Sequence, residues 1–130
     1  MKTPCVPISW GELVDKITIL EIKLLKIFNN KSRDNIEKEL KYLEEVADFK
    51  NMPEEIKDLK LELKTVNHKL WDVEDSIRDK DLLGEFDDTF LELARSVYRL
   101  NDLRARLKKS INLNLKSELV EEKSYKNFQN

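Results

Sequence analysis

The sequence of 130 residues predicts an all-α protein: an antiparallel helical bundle of about four helices, in which the third and fourth form a long hairpin. Three observations predict it. Gly 2 and Pro 3 are too few for a fold with many tight turns, which argues against sandwiches and barrels. Apolar residues recur at alternating spacings of three and four through most of the chain. Hydrophobic residues make up 40% and charged residues 38%, the balance of helices with one apolar and one solvated face.

The elements follow in order. Residues 1–8 hold Pro4 and Pro7 and read as an extended segment. Ser9 is the N-cap of a first helix over 10–28, and Glu12 three residues later completes a capping box. Leu13, Ile17, Leu20, Leu24 and Ile27 form its seam, and Phe28 ends its apolar arc. A second helix is expected over 34–49, started by Asp34 and seamed by Ile36, Leu40, Leu43 and Ala47. Pro53 opens a third helix over 54–80, where a missing N–H costs little. Ile56, Leu59, Leu63, Val66, Leu70, Val73 and Ile77 give it the cleanest repeat in the chain. Gly84 breaks the pattern, and Asp87 caps a fourth helix over 88–114. Residues 116–130 lose the period and read as a C-terminal tail, so that 1–130 is one helical domain.

Helices three and four would be about 40 Å long at 1.5 Å per residue, longer than the first two can cover. That mismatch, with Trp71 and Leu61 left over, predicts a partner chain, most simply a homodimer. A net charge of −2 gives no global attraction to nucleic acid or to anionic membranes. Bases do gather over 95–109, but the acid-rich stretch 72–88 should offset them, so nucleic acid is not the expected partner. No signal-like start and no apolar run of about 18 residues is present, and Cys5 is the sole cysteine. A reducing cytoplasm is the expected location.

Several polar residues fall inside apolar arcs at 100° per residue. Glu21 does so on the first helix, and Asn101, Arg104 and Lys108 on the fourth. On the third, Asn67, Glu74 and Arg78 form a row with Trp71 beside the seam. Buried polar groups need partners, so one reading is a structural network that fixes helix register. The other is a pocket for a small carboxylate or phosphate, built from Glu21, Asn67, Asn101, Arg104 and Lys108. Pairing the third and fourth helices around Gly84 sets Asn67 beside Asn101, Trp71 near Val97 and Tyr98, and Glu74 near Arg95. The same counting around an up-down-up-down bundle lets Glu21 meet Arg104 across the core.

Other chemistry has weaker support. Glu12 with Asp15, and Glu45 with Asp48, have the spacing of magnesium-holding carboxylates, but Glu12 and Asp15 fall on the polar side of the wheel and read as solvated. His68 belongs to no metal-ligand spacing, and Cys5 has no nearby base. No Gly-rich phosphate loop or nucleophile elbow occurs. No catalytic residue, metal or cofactor is assigned.

The segments ISWGELVDKITILEIKLLKI, VNHKLWDVEDSIR, FLELARSVYRLNDLRARLKKSIN and LVEEKSY together resemble a family of short bacterial and phage proteins known only as a domain of unknown function. The resemblance runs from about Ile8 to Tyr125 and implies a helical fold and a bacterial or phage source, with no activity. DKITILEIKLLKIF is also faintly similar to the first helix of the all-α chorismate mutases, but it offers Lys16, Lys23 and Lys26 and no arginine. The expected function is a non-catalytic helical interaction module. The alternative is binding, or conversion, of a small anionic metabolite at the polar cluster.

Overall fold

The computed structural model describes residues 1–124 and residue 126. It has four long helices: α1 (Trp10–Lys26), α2 (Asn30–Ala47), α3 (Glu54–Leu82) and α4 (Asp88–Asn114). A 3₁₀ turn, Phe49–Asn51, joins α2 to α3. There is no strand among the described residues.

The caps explain most helix ends. The Ser9 Oγ accepts from the Glu12 N–H at 3.1 Å, which is half of the expected capping box. The Glu12 carboxylate turns instead to Lys108. α1 stops two residues early because Ile27 is extended, so Phe28 lies outside the helix and is exposed. α2 begins four residues before the expected Asp34, since Asn29 Oδ1 accepts from the Ser32 N–H at 3.0 Å. It ends at Ala47 because Asp48 adopts φ 46. At the end of α3, Gly84 has φ 67, the Gly84 N–H donates to Asp81 O, and the Glu85 N–H donates to Lys80 O. This is the Schellman arrangement, which a residue without Cβ accepts at least cost. Lys80 Nζ then reaches Glu85 at 3.1 Å and Asp87 at 2.8 Å across the turn. Asp87 caps α4 as its position predicts, accepting from the Phe90 N–H.

The helices are not arranged as four equal corners. α1 contacts each of the other three, α2 packs chiefly on α1, and α3 packs along α4. α1 is therefore a central helix between α2 on one side and the α3–α4 hairpin on the other. Leu13, Ile17 and Leu20 face Ile36, Leu40 and Ala47 of α2. Val14 joins Ile56, Leu63, Val66, Leu70, Leu107 and Ile111 of the hairpin. The consequence is a helix whose first three turns are buried on more than one face, with Gly11, Asp15 and Thr18 buried like Leu13 and Leu20.

α1 runs antiparallel to α4. Gly11 donates its N–H to Asn112 Oδ1 at 2.6 Å, and a Cβ built on Gly11 would overlap the backbone carbonyl of Lys108. At the other end, Lys26 Nζ lies 3.1 Å from Asp72. Beyond that level the hairpin continues without a third layer. Among the described residues, none between Leu70 and Leu107 is buried. Leu82, Leu83, Phe86 and Leu91 are exposed at its tip.

Candidate functional site

The polar centre of the protein is Asp15, with a relative exposure of 0%. Its Oδ1 accepts from Arg104 Nε at 2.9 Å and from Asn67 Nδ2 at 2.8 Å. Its Oδ2 accepts from Arg104 Nη2 at 2.6 Å. The pair is thus a bidentate fork, the strongest arrangement of these two groups. Asn67 Nδ2 also donates to Thr18 Oγ1 at 2.9 Å, and the Thr18 hydroxyl donates to the Asp15 carbonyl at 2.7 Å. Helix α1 supplies Asp15 and Thr18, α3 supplies Asn67, and α4 supplies Arg104. Three helices are tied at one level. The hydrogen bond to Asp15 raises the Arg104 pKa, burial opposing it.

One turn along α4, the buried Lys108 Nζ lies 2.8 Å from both Glu12 and Glu121. Burial works against its charge, but hydrogen bonds to the two carboxylates leave its pKa raised. Glu121 comes from the segment after α4, which folds back over the start of α1. The Ser117 N–H donates to Asn112 O, and Ser117 Oγ accepts from the Trp10 N–H at 3.2 Å. Glu121 also pairs with Lys123. The Lys108 and Lys123 contacts hold the Glu121 carboxyl down to about 2 from an ordinary 4.5. A depressed carboxylate stabilises the fold fully above its unfolded value, and the contribution is lost as pH falls through the folded value. The wild type should therefore lose stability relative to Glu121→Gln as pH drops from 4.5 toward 2, a difference visible in denaturant unfolding at stepped pH.

Two openings flank this polar centre. A cleft of about 250 Å³ is lined by Glu12, Asn101, Arg104, Lys108, Glu121 and Lys123. A notch of about 150 Å³ lies at the root of the distal hairpin, where Ile19, Ile22, Leu70 and Trp71 meet Asn67 and Asn101. Arg104 borders both.

The site residues expected from sequence divide accordingly. Asn67, Asn101 and Arg104 come together, although Asn67 and Asn101 are linked through Asp15 and Arg104; Arg104 Nη1 lies 3.5 Å from Asn101 Oδ1. Lys108 adjoins them through the cleft. Glu21 does not. It faces Lys60 at 3.3 Å and Lys64 at 3.5 Å on α3, with Oε1 buried and without a hydrogen bond. The expected Glu21–Arg104 meeting is replaced by Asp15–Arg104. Glu21 lies six residues further along α1, about 9 Å at 1.5 Å per residue. Trp71 and Glu74 line the notch, but Glu74 sits 4.0 Å from Arg78 instead of meeting Arg95, which is exposed.

Asp15 itself contradicts the expectation of a solvated face, whereas the Glu12 side chain is 45% exposed as it reaches Lys108. A wheel reading assumes one buried stripe, and α1 has two. The signal was present in Gly11, Asp15, Thr18 and Ile22, spaced 4, 3 and 4, a second seam of mostly small and polar residues. Glu121 had no periodic signal. Among the described residues there is no group of three or more His, Cys, Asp or Glu placed to hold a metal ion. Nor is any described helix long and apolar enough to cross a membrane.

Fold and site together define an all-α helical bundle, held at its centre by a buried aspartate in a bidentate pair with a partly exposed arginine. The chain belongs to the family described as a family of unknown function (DUF6165), which matches residues 4–129. No curated protein and no solved structure matches it.

Proposed function

We propose that this protein is a non-catalytic helical interaction module that acts as a homodimer through its distal hairpin. The observation that carries this reading is the distal hairpin, residues 71–96, in which no described residue is buried, whereas Val97, Leu100 and Leu103 further along α4 pack against the core. Val73, Ile77 and Leu93 remain only half-buried there, and four large apolar side chains crowd the tip. Helices draw most of their stability from packing an apolar face, which the distal hairpin leaves without a third layer, and contiguous apolar exposure marks a protein interface. The polar centre supports the same reading: Asp15, Arg104, Asn67 and Lys108 each have hydrogen-bond partners within the chain. Sedimentation equilibrium or light scattering should report a dimer at micromolar concentration. A monomer at that concentration would overturn the proposal.

A second reading has one specific observation in its favour. The cleft beside Lys108 holds two lysines and Arg104, with an internal carboxylate, Glu121, already seated among them. A small anion could take the place of that carboxylate. Phosphate added at millimolar concentration would then raise the melting temperature of Glu121→Gln more than that of the wild type, and Lys108→Met would abolish the effect. Equal melting temperatures with and without phosphate in all three would remove this reading.

A further inference from the structure

The distal hairpin carries both a plug and a socket on one face. Trp71, Glu74, Arg78 and Leu82 recur on α3 at spacings of 3, 4 and 4. At 100° per residue they fall within an arc of about 80°. Trp71 and Glu74 line the notch, which fixes this row on the notch side of the hairpin. The notch has apolar walls from Ile19, Ile22, Leu70 and Trp71 and a volume of about 150 Å³. Asn67, Glu74, Asn101 and Arg104 complete its lining, so it offers an apolar wall with a polar rim to an entering leucine side chain. At the other end of the row, Leu82 is 84% exposed and Leu83 70%. Socket and plug are eleven residues apart, about 16 Å along the helix, so a chain cannot fill its own notch with its own tip.

Two copies can fill each other's. We infer that the hairpins of two chains pair antiparallel about a two-fold axis near Ser76 and Ile77, each apolar tip seating in the other's notch. This rests on the reading of the distal hairpin as the docking surface, and it specifies the partner and the mode. Residues 74 and 78 flank the axis at distances that differ by about one residue, or about 1.5 Å of rise, so Glu74 of one copy faces Arg78 of the other, and the reverse. Trp71 likewise faces Leu82. An isologous interface has this form, each contact occurring twice. Within one chain the Glu74–Arg78 contact is loose, at 4.0 Å with side chains 52% and 74% exposed, so both charges are available to a partner. A parallel pairing would instead set glutamate on glutamate and arginine on arginine, which is repulsive.

Charge reversal tests the arrangement, and the exposure of both side chains leaves the monomer fold intact, which circular dichroism would verify. Glu74→Arg and Arg78→Glu should each weaken dimerisation at least ~10-fold by analytical ultracentrifugation, since each sets like charges opposite one another. An equimolar mixture of the two variants should recover the wild-type dissociation constant to within about 3-fold, as should the double variant Glu74→Arg/Arg78→Glu. Leu82→Asp should weaken the dimer without charge-swap rescue. If the wild type dimerises but single reversals leave it unchanged, the antiparallel arrangement is wrong while the interaction module stands. If the wild type is monomeric, both fall.

Discussion

Arg104→Met is expected to destabilise the fold by about 3–5 kcal/mol, the cost of leaving a buried carboxylate without its counter-charge. Asp15 cannot reach water, at 0% exposure, and would keep only the Asn67 hydrogen bond. The opposite deletion should cost less. Asp15→Leu leaves a guanidinium whose side chain is 29% exposed and can be hydrated from the cleft and notch that border it. The double variant Asp15→Leu/Arg104→Met should recover much of the loss, because an apolar pair of similar bulk replaces an ion pair whose desolvation opposes its attraction. Recovery will be incomplete, since Asn67 Nδ2 keeps only Thr18 as an acceptor. Urea unfolding of the four proteins completes the cycle. If Arg104→Met costs under about 1 kcal/mol, or if the two effects add, the pair is not a structural keystone.

That pair also marks where the sequence was readable and where it was not. The bounds of α4, the capping by Ser9 and Asp87, and the turn at Gly84 follow from short-range chemistry, and local signals were sufficient for them. The level of Asn67 and Asn101 also came out, because a hairpin with a single tight turn propagates its register by counting. The level of α1 against α4 did not. It depends on three connections, and two of them moved: α2 starts at Asn30, and a 3₁₀ turn fills the space before α3. Errors in loop length add along the chain, so counting through all three connections set Glu21, singled out because it falls inside the apolar arc, level with Arg104 in place of Asp15. The buried status of Asp15 was hidden for a different reason. Hydrophobicity marks which face of a helix is apolar, but not that a second face is buried by hydrogen bonding. Only a small residue at the crossing, Gly11, hinted at a close approach of two backbones.

Gly11→Ala is the sharpest test of that approach. The added Cβ would overlap the Lys108 carbonyl oxygen and lie 3.0 Å from Asn112 Oδ1. The first of these neighbours is backbone in the interior of α4, so no rotamer change can relieve it, and α1 has to move. Moving α1 stretches the Gly11 N–H bond to Asn112, at 2.6 Å, and four residues on it disturbs the Asp15–Arg104 fork. Helix propensity works the other way, since alanine favours a helix over glycine by up to about 1 kcal/mol. Overpacking against an unyielding neighbour costs about 1–3 kcal/mol, occasionally more, and here it carries the loss of buried hydrogen bonds with it. The expected net effect is a destabilisation of about 2–3 kcal/mol despite the better helix former. Gly84→Ala provides the contrast: no atom lies within 4 Å of its Cβ, and the cost there is only that of a left-handed φ, about 1 kcal/mol. Chemical denaturation should rank Gly11→Ala clearly below Gly84→Ala. If Gly11→Ala proves as stable as the wild type, α1 does not lie against α4 as closely as the fold requires, and the tying of three helices at Asp15 loses its foundation.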